Sequence, residues 1–76
     1  MASLSINEKI GIKICFLRKR LKYSQEKLGN LAGLSKTSIS AIECGRSKPS
    51  IETLDKIANA LNVELKELVD VSKIEL

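Results

Sequence analysis

The fold is decided by residues 24–45, Ser24-Gln25-Glu26-Lys27-Leu28-Gly29-Asn30-Leu31-Ala32-Gly33-Leu34-Ser35-Lys36-Thr37-Ser38-Ile39-Ser40-Ala41-Ile42-Glu43-Cys44-Gly45. Ser24 and Ser35 stand where a side-chain oxygen caps the free N–H groups of a helix. Gly33 and Gly45 stand where a left-handed residue ends one. This punctuation predicts one helix over Gln25–Ala32, a short turn through Gly33, and another helix from Lys36 to about Cys44. Leu28, Leu31 and Ala32 give the first helix its apolar side. Gly29 lies in its interior, where glycine costs about 1 kcal/mol relative to alanine; close approach of another helix is the expected reason. In the second helix only Ile39 and Ile42 are large and apolar, and at a spacing of three they anchor one side. Lys36, Thr37, Ser38, Ser40 and Ala41 are left on the other, a face of small groups and one cation. A helix that only scaffolds usually carries longer charged side chains there.

Outward from this core motif the punctuation repeats. Ser5 with Glu8 three residues on reads as a capping box, and opens a helix from about Ile6 to Leu21. Ile10, Ile14, Leu17 and Leu21 recur at helical spacing and form its apolar stripe. Ile12 and Phe16 lie off that stripe, and the sequence leaves open whether they widen the core face or meet a partner. After the loop Arg46-Ser47-Lys48-Pro49, Ser50 caps a fourth helix over Ile51–Leu61, with a stripe of Ile51, Leu54, Ile57, Ala58 and Leu61. Asn62-Val63 makes a turn. A fifth helix runs from Glu64 to about Asp70 with Leu65, Leu68 and Val69 apolar, and residues 71–76 form a tail. The expectation is an all-α, compact five-helix domain filling residues 1–76, with its core at about 6–70.

Composition agrees with packed helices and narrows the function. Hydrophobic residues are 43% of the 76, enough for a core. Only Phe16 and Tyr23 are aromatic, so Ile, Leu, Val and Ala must build it. The net charge of +4 is unevenly spread. Residues 1–23 hold six basic and one acidic side chain, residues 24–48 four and two, and residues 49–76 three and six. One end suits a polyanion and the whole is built to orient in a field. Lys19, Arg20 and Lys22 read as solvated charges that steer at long range. No run of 18 apolar residues exists and no basic region opens a leader, so a cytoplasmic protein is expected. There reduced thiols are the rule, and Cys15 and Cys44 read as two small apolar side chains. Two thiols and no histidine cannot complete a zinc site. With no carboxylate cluster and no glycine-rich phosphate loop either, no metal, cofactor or catalysis is expected.

Two short helices joined by a turn containing glycine form a helix-turn-helix. The major groove of B-DNA is about 12 Å wide and admits one helix. The first helix of the pair crosses the backbone and holds the second in the groove. Short polar side chains on the second let its backbone approach the base edges.

At this point the stretch resembles the XRE-type helix-turn-helix family, which includes lambdoid phage repressors, Cro-like proteins and restriction–modification controller proteins. The matching residues are Arg18, Ser24-Gln25-Glu26, Leu28, Ala32-Gly33-Leu34-Ser35, Ile39-Ser40, Ile42-Glu43, Gly45, Pro49-Ser50, Leu54, Ile57-Ala58, Ala60-Leu61 and Val63. They cover roughly residues 8–70. Gly29 departs from the pattern, which usually has alanine there, and Cys44 is unusual before the helix-ending glycine. The resemblance implies sequence-specific binding of double-stranded DNA and a transcription regulator, a repressor or controller. It implies that Lys36, Thr37, Ser40 and Ala41 face base edges. Gln25, Ser38, Arg46, Ser47 and Lys48 would contact phosphates, with Gln25 also bracing the recognition helix. Arg18 and Glu43 would form an inward-facing ion pair.

A single helix reads only a few base pairs, too few to find one site in a genome. A homodimer on a palindromic operator is therefore expected, joined through Leu65, Leu68, Val69 and Ile74. With the fifth helix near the end of the sequence, regulation is expected to come from concentration, cooperativity or a partner protein. The rival reading is an antitoxin that binds a toxin and regulates its own operon, with Phe16 or the tail as the contact.

Overall fold

Each of the first four helices begins on a serine whose hydroxyl oxygen accepts a backbone N–H three residues on. Ser5 accepts from Glu8 at 3.1 Å, Ser24 from Lys27 at 2.9 Å, Ser35 from Ser38 at 3.0 Å and Ser50 from Thr53 at 3.1 Å. At Ser5 the box is reciprocal, because its own N–H donates to Glu8 Oε1 at 2.9 Å. Such caps are each worth about 1 kcal/mol. In the computed structural model, residues 3–70 are described. Their helices are α1 (Ile6–Arg20), α2 (Gln25–Ala32), α3 (Lys36–Glu43), α4 (Ile51–Ala60) and α5 (Leu65–Val69). Among the described residues the regular structure is entirely helical, and no helix is long and apolar enough to cross a membrane.

The helix ends share one geometry. After α1, Tyr23 N–H donates to the Arg18 carbonyl at 3.1 Å and Lys22 N–H to that of Lys19 at 2.9 Å. The same pair of bonds closes α3 through Arg46 and Gly45, and α4 through Val63 and Asn62. This closure needs a left-handed residue after the cap. Gly45 supplies it at φ 74°, but Lys22 (φ 62°) and Asn62 (φ 60°) adopt it without being glycine.

The apolar stripes meet in one core of Ile10, Ile14, Leu17, Leu28, Ala32, Ile39, Ile42, Leu54, Ile57, Ala58, Leu61 and Leu68. Burying each of the Ile and Leu side chains is worth about 1.5–3 kcal/mol. Within this core α2 packs on α3 and α4, α1 on α3 and α5, and α4 on α5.

Several expectations change. The Leu21 side chain, expected to continue the α1 stripe, is exposed at the helix end, as are Leu31 on α2 and Ile51, which is 64% exposed in the first turn of α4. A helix terminus projects past the core it packs against, so the end positions of a stripe lose their neighbours. Gly29 has a different reason from the expected one. A Cβ there would sit 2.5 Å from the Leu34 carbonyl oxygen. The turn after α2 folds back and fills the space an alanine methyl would need; no third helix is involved. Leu68 must be removed from the expected dimer surface. It is 0% exposed, because α5 turns it into the core of its own chain between α4 and α1. Leu65 is half-buried against that core, Val69 is exposed, and Ile74 lies outside the described residues.

Candidate nucleic-acid interface

The site begins with what holds α3. Its apolar side is fixed by Ile39 and Ile42, both buried. Its C-terminal end is held by charge. Arg18 Nε donates to Glu43 Oε2 at 2.6 Å, and Nη2 donates to Oε1 at 3.1 Å, a two-point grip between α1 and α3. Arg18 Nη1 donates to the Tyr23 carbonyl at 2.7 Å. The left-handed turn at Lys22 brings that carbonyl back under α1. Gln25 Nε2 adds a bond to Glu43 Oε1 at 3.0 Å. Four elements, α1, its turn, α2 and α3, therefore meet on one carboxylate–guanidinium pair.

The pair is out of water: Arg18 is only 8% exposed. Among the described residues, no buried side-chain nitrogen or oxygen lacks a hydrogen-bond partner. Burial pushes the Glu43 carboxyl up, but the hydrogen bonds from Arg18 and Gln25 and the Arg18 charge together outweigh it. The net result is a carboxyl held below its ordinary value. The hydrogen bond to Glu43 likewise raises the Arg18 guanidinium above its ordinary value, against the desolvation that lowers it. A carboxyl lowered by folding adds stability that is complete above its unfolded value and is lost as pH falls through the folded one. Wild-type protein is therefore expected to lose stability as the pH falls below the ordinary value of 4.5. Glu43→Gln should start less stable and show a flatter profile across that window. Urea midpoints measured from about pH 6 to about pH 3 check this. Parallel profiles for the two proteins would remove Glu43 from the account.

With α3 clamped, its other side is outward. Lys36 and Thr37 are exposed, while Ser40 and Ala41 are half-buried and low on the surface. Apart from Lys36, no long side chain rises from this face. Ser38 is exposed as well; its hydroxyl accepts from Ser35 Oγ at 3.0 Å and keeps its own proton for another acceptor. The loop after α3 places Arg46 and Lys48 in solvent and Ser47 half-buried. Gln25 is half-buried at the start of α2, with its amide nitrogen committed to Glu43.

One position in this assembly carried no reading from sequence, and a second was read only as a small apolar side chain. Gly11 lies where α1 crosses the end of α3: a Cβ there would stand 2.5 Å from the carbonyl oxygens of both Ile42 and Glu43. Its signal was available, since Gly11 falls seven residues before Arg18 and so on the same face of α1. Cys15 is the other. Its Sγ accepts from Arg18 Nη2 at 3.7 Å, one turn before the arginine. Cys44 caps α3 at its exposed end. No group of three or more metal-ligating side chains occurs among the described residues.

Comparison with known proteins places this architecture. Residues 16–68 match the helix-turn-helix family model HTH_3. The HTH-type transcriptional regulator SlrR of Bacillus subtilis is 44% identical over 62 residues, which are 80% of this chain and 41% of that protein. The chain thus spans less than half the length of the curated relatives that it first matches. Among solved structures, the N-terminal DNA binding domain of SinR from Bacillus subtilis superposes with a TM-score of 0.81 at 34% identity, covering 88% of this chain and 99% of that domain. The restriction-modification controller protein C.AhdI from Aeromonas hydrophila gives 0.79 at 34%, covering 80% of this chain and 92% of that one. With the five helices, the clamp on α3 and a family match over more than half its length, the chain belongs to the XRE-type helix-turn-helix family.

Proposed function

We propose that the chain is a sequence-specific double-stranded-DNA-binding transcription regulator, a repressor or controller protein that acts in the cytoplasm as a dimer on a palindromic operator. One observation carries the reading: α3 presents a low, polar outer face while a buried ion pair and two isoleucines fix its inner side. A helix held this way keeps its orientation as it enters a groove. The similarity to a domain described as DNA binding and to a restriction–modification controller supports it.

In this reading α3 lies in the major groove. Lys36 donates to guanine O6 or N7, Ser40 hydrogen-bonds a base edge, and the methyls of Thr37 and Ala41 meet a thymine methyl. Gln25, Ser38, Arg46, Ser47 and Lys48 hold the phosphate backbone, which sets register and affinity without reading sequence. For Gln25 the geometry divides the work. Its Nε2 already serves Glu43, so one N–H and the amide oxygen remain, and the N–H is the group that can reach a phosphate.

Selection from random duplexes, followed by footprinting, tests the whole proposal. The expected outcome is two inverted half-sites whose centres lie about 34 Å apart, one helical turn. Enrichment of no sequence would refute it. The division of labour has its own test. Lys36→Ala should relax preference at one or two operator positions, at about 1–3 kcal/mol there. Lys48→Ala should weaken all sequences alike and lower the slope of log affinity against log salt by about one. Uniform losses for both variants across a site library would merge the two roles.

A further inference from the structure

One flank of α1 takes no part in the fold or in the proposed DNA contact. The helix meets α3 through Gly11 and Arg18. Phe16 projects about 140° around the helix from Gly11. It is 56% exposed, and Ile12, one turn earlier on the same flank, is 38% exposed. The Arg20 guanidinium lies 5.7 Å from the Phe16 ring centroid. Lys9 and Lys13 belong to the same flank. An apolar centre with a charged rim is the anatomy of a protein interface, and here the rim is basic.

Charge of the opposite sign lies on α5. Helix α5 is a packed neighbour of α1. Glu64, Lys66, Glu67 and Asp70 line a shallow surface depression on α5, three carboxylates to one ammonium, with Lys66 3.4 Å from Glu64, and Val69 is exposed next to them. A contact of α5 with the α5 of another copy would set carboxylate against carboxylate. A contact of α5 with the Ile12–Phe16–Arg20 flank sets acid against base around three apolar side chains.

We infer that the Ile12–Phe16–Arg20 flank of α1 docks the acidic α5 of a second copy of this chain, and that the contact is reciprocal. Both halves of the match lie on helices that pack together, α1 and α5. A two-fold axis then forms both contacts at once, since in such an interface residue i meets j and j meets i. The inference deepens the dimeric reading above and rests on it.

Sedimentation equilibrium on the full chain tests the docking. Phe16→Ala removes a ring that is mostly in solvent, so the fold is kept, and far-ultraviolet circular dichroism verifies it. Self-association should weaken about tenfold or more. Arg20→Glu and Glu67→Lys should each weaken it about fivefold, and the double charge reversal should recover most of the loss. Raising salt from about 0.05 M to about 0.5 M should weaken the wild-type dimer. Dimerisation that survives Phe16→Ala or strengthens with salt overturns the proposal. So does a wild-type chain that stays monomeric at high micromolar concentration, an outcome that leaves the flank to an acidic helix of another protein. Duplex titrations separate this claim from the DNA reading. Phe16→Ala should keep affinity for a single half-site and lose cooperativity on two. Wild-type failure on half-sites counts against DNA binding, whereas cooperativity untouched by Phe16→Ala counts against the docking alone.

Discussion

Arg18→Ala is expected to destabilise the protein by about 3–5 kcal/mol at neutral pH, because it leaves the Glu43 carboxylate buried without its counter-charge. For a domain of this size the whole folding free energy is only about 4–11 kcal/mol, so the variant should be partly unfolded at physiological temperature. The cost is not the worth of the ion pair. It arises because Glu43 has given up its water and Arg18 supplies two of the replacement bonds, at 2.6 and 3.1 Å, and the only counter-charge among them. The remaining donor to its side chain, Gln25 Nε2, carries no charge.

Two features separate this account from a simple loss of packing. Without Arg18 the carboxyl no longer has a reason to stay ionised, so the Arg18→Ala protein should recover part of its deficit as the pH falls to about 5 and Glu43 takes up a proton. The wild-type protein should show no such gain, since its Glu43 carboxyl is held below its ordinary value by Arg18 and Gln25. Second, Arg18→Met combined with Glu43→Leu removes both charges and keeps the volume. Such replacements are often neutral or stabilising, and the double variant should be far more stable than Arg18→Ala. Urea unfolding of the three proteins at about pH 7 and about pH 5 decides the matter. A loss below about 1 kcal/mol for Arg18→Ala would mean that the pair behaves as a solvated surface bridge.

The stable double variant also asks what the charges are for. Two apolar side chains hold helices together but not at one rotation. A planar guanidinium locked on a carboxylate fixes both distance and angle, and in this chain the carboxylate is the last residue of α3. If the clamp serves to aim α3, the double variant keeps its fold and loses DNA discrimination.

What was legible in the sequence was whatever rests on local chemistry. Ser5, Ser24, Ser35 and Ser50 cap four helices where their position announced helix starts, because an N-cap needs only its own next turn. Gly33 and Gly45 end theirs for the same local reason. The misreadings are of two kinds: at Gly29 the obstacle is local, the Leu34 carbonyl five residues on, while others involve distance. Asparagine tolerates the left-handed backbone seen at Asn62, but nothing about Lys22 declares it; there the bonds that close α1, Tyr23 to Arg18 and Lys22 to Lys19, impose it. Leu68 and Val69 are adjacent and both apolar, and only the way α5 leans on α4 and α1 decides that one is core and the other surface. The candidate site divides likewise. The small polar face of α3 follows from helical spacing, but which of its residues touch bases is a property of the DNA as much as of the chain.

Gly11→Ala is the second substitution with a large expected effect, and on propensity alone it should help. Alanine inside an exposed helix is favoured over glycine by about 1 kcal/mol. At this position the added methyl would lie 2.5 Å from two carbonyl oxygens of α3 and 2.8 Å from the Glu43 carbonyl carbon. These are backbone atoms with no rotamer to change, so α1 and α3 must separate. Forcing one extra carbon into such a contact costs about 1–3 kcal/mol, occasionally more. The separation also pulls Arg18 away from Glu43, two turns further along the same face of α1, and adds part of the clamp's cost. We expect a net loss of about 2–3 kcal/mol, which in a domain this small lowers Tm by more than about 10 °C. Asn30→Ala, exposed on α2 and outside the proposed contacts, should change stability by less than about 0.5 kcal/mol. Thermal unfolding of both variants gives the comparison. A Gly11→Ala protein as stable as wild type would show that the helices can part freely at this crossing, and the orientation of α3 would then have to be set by the ion pair alone.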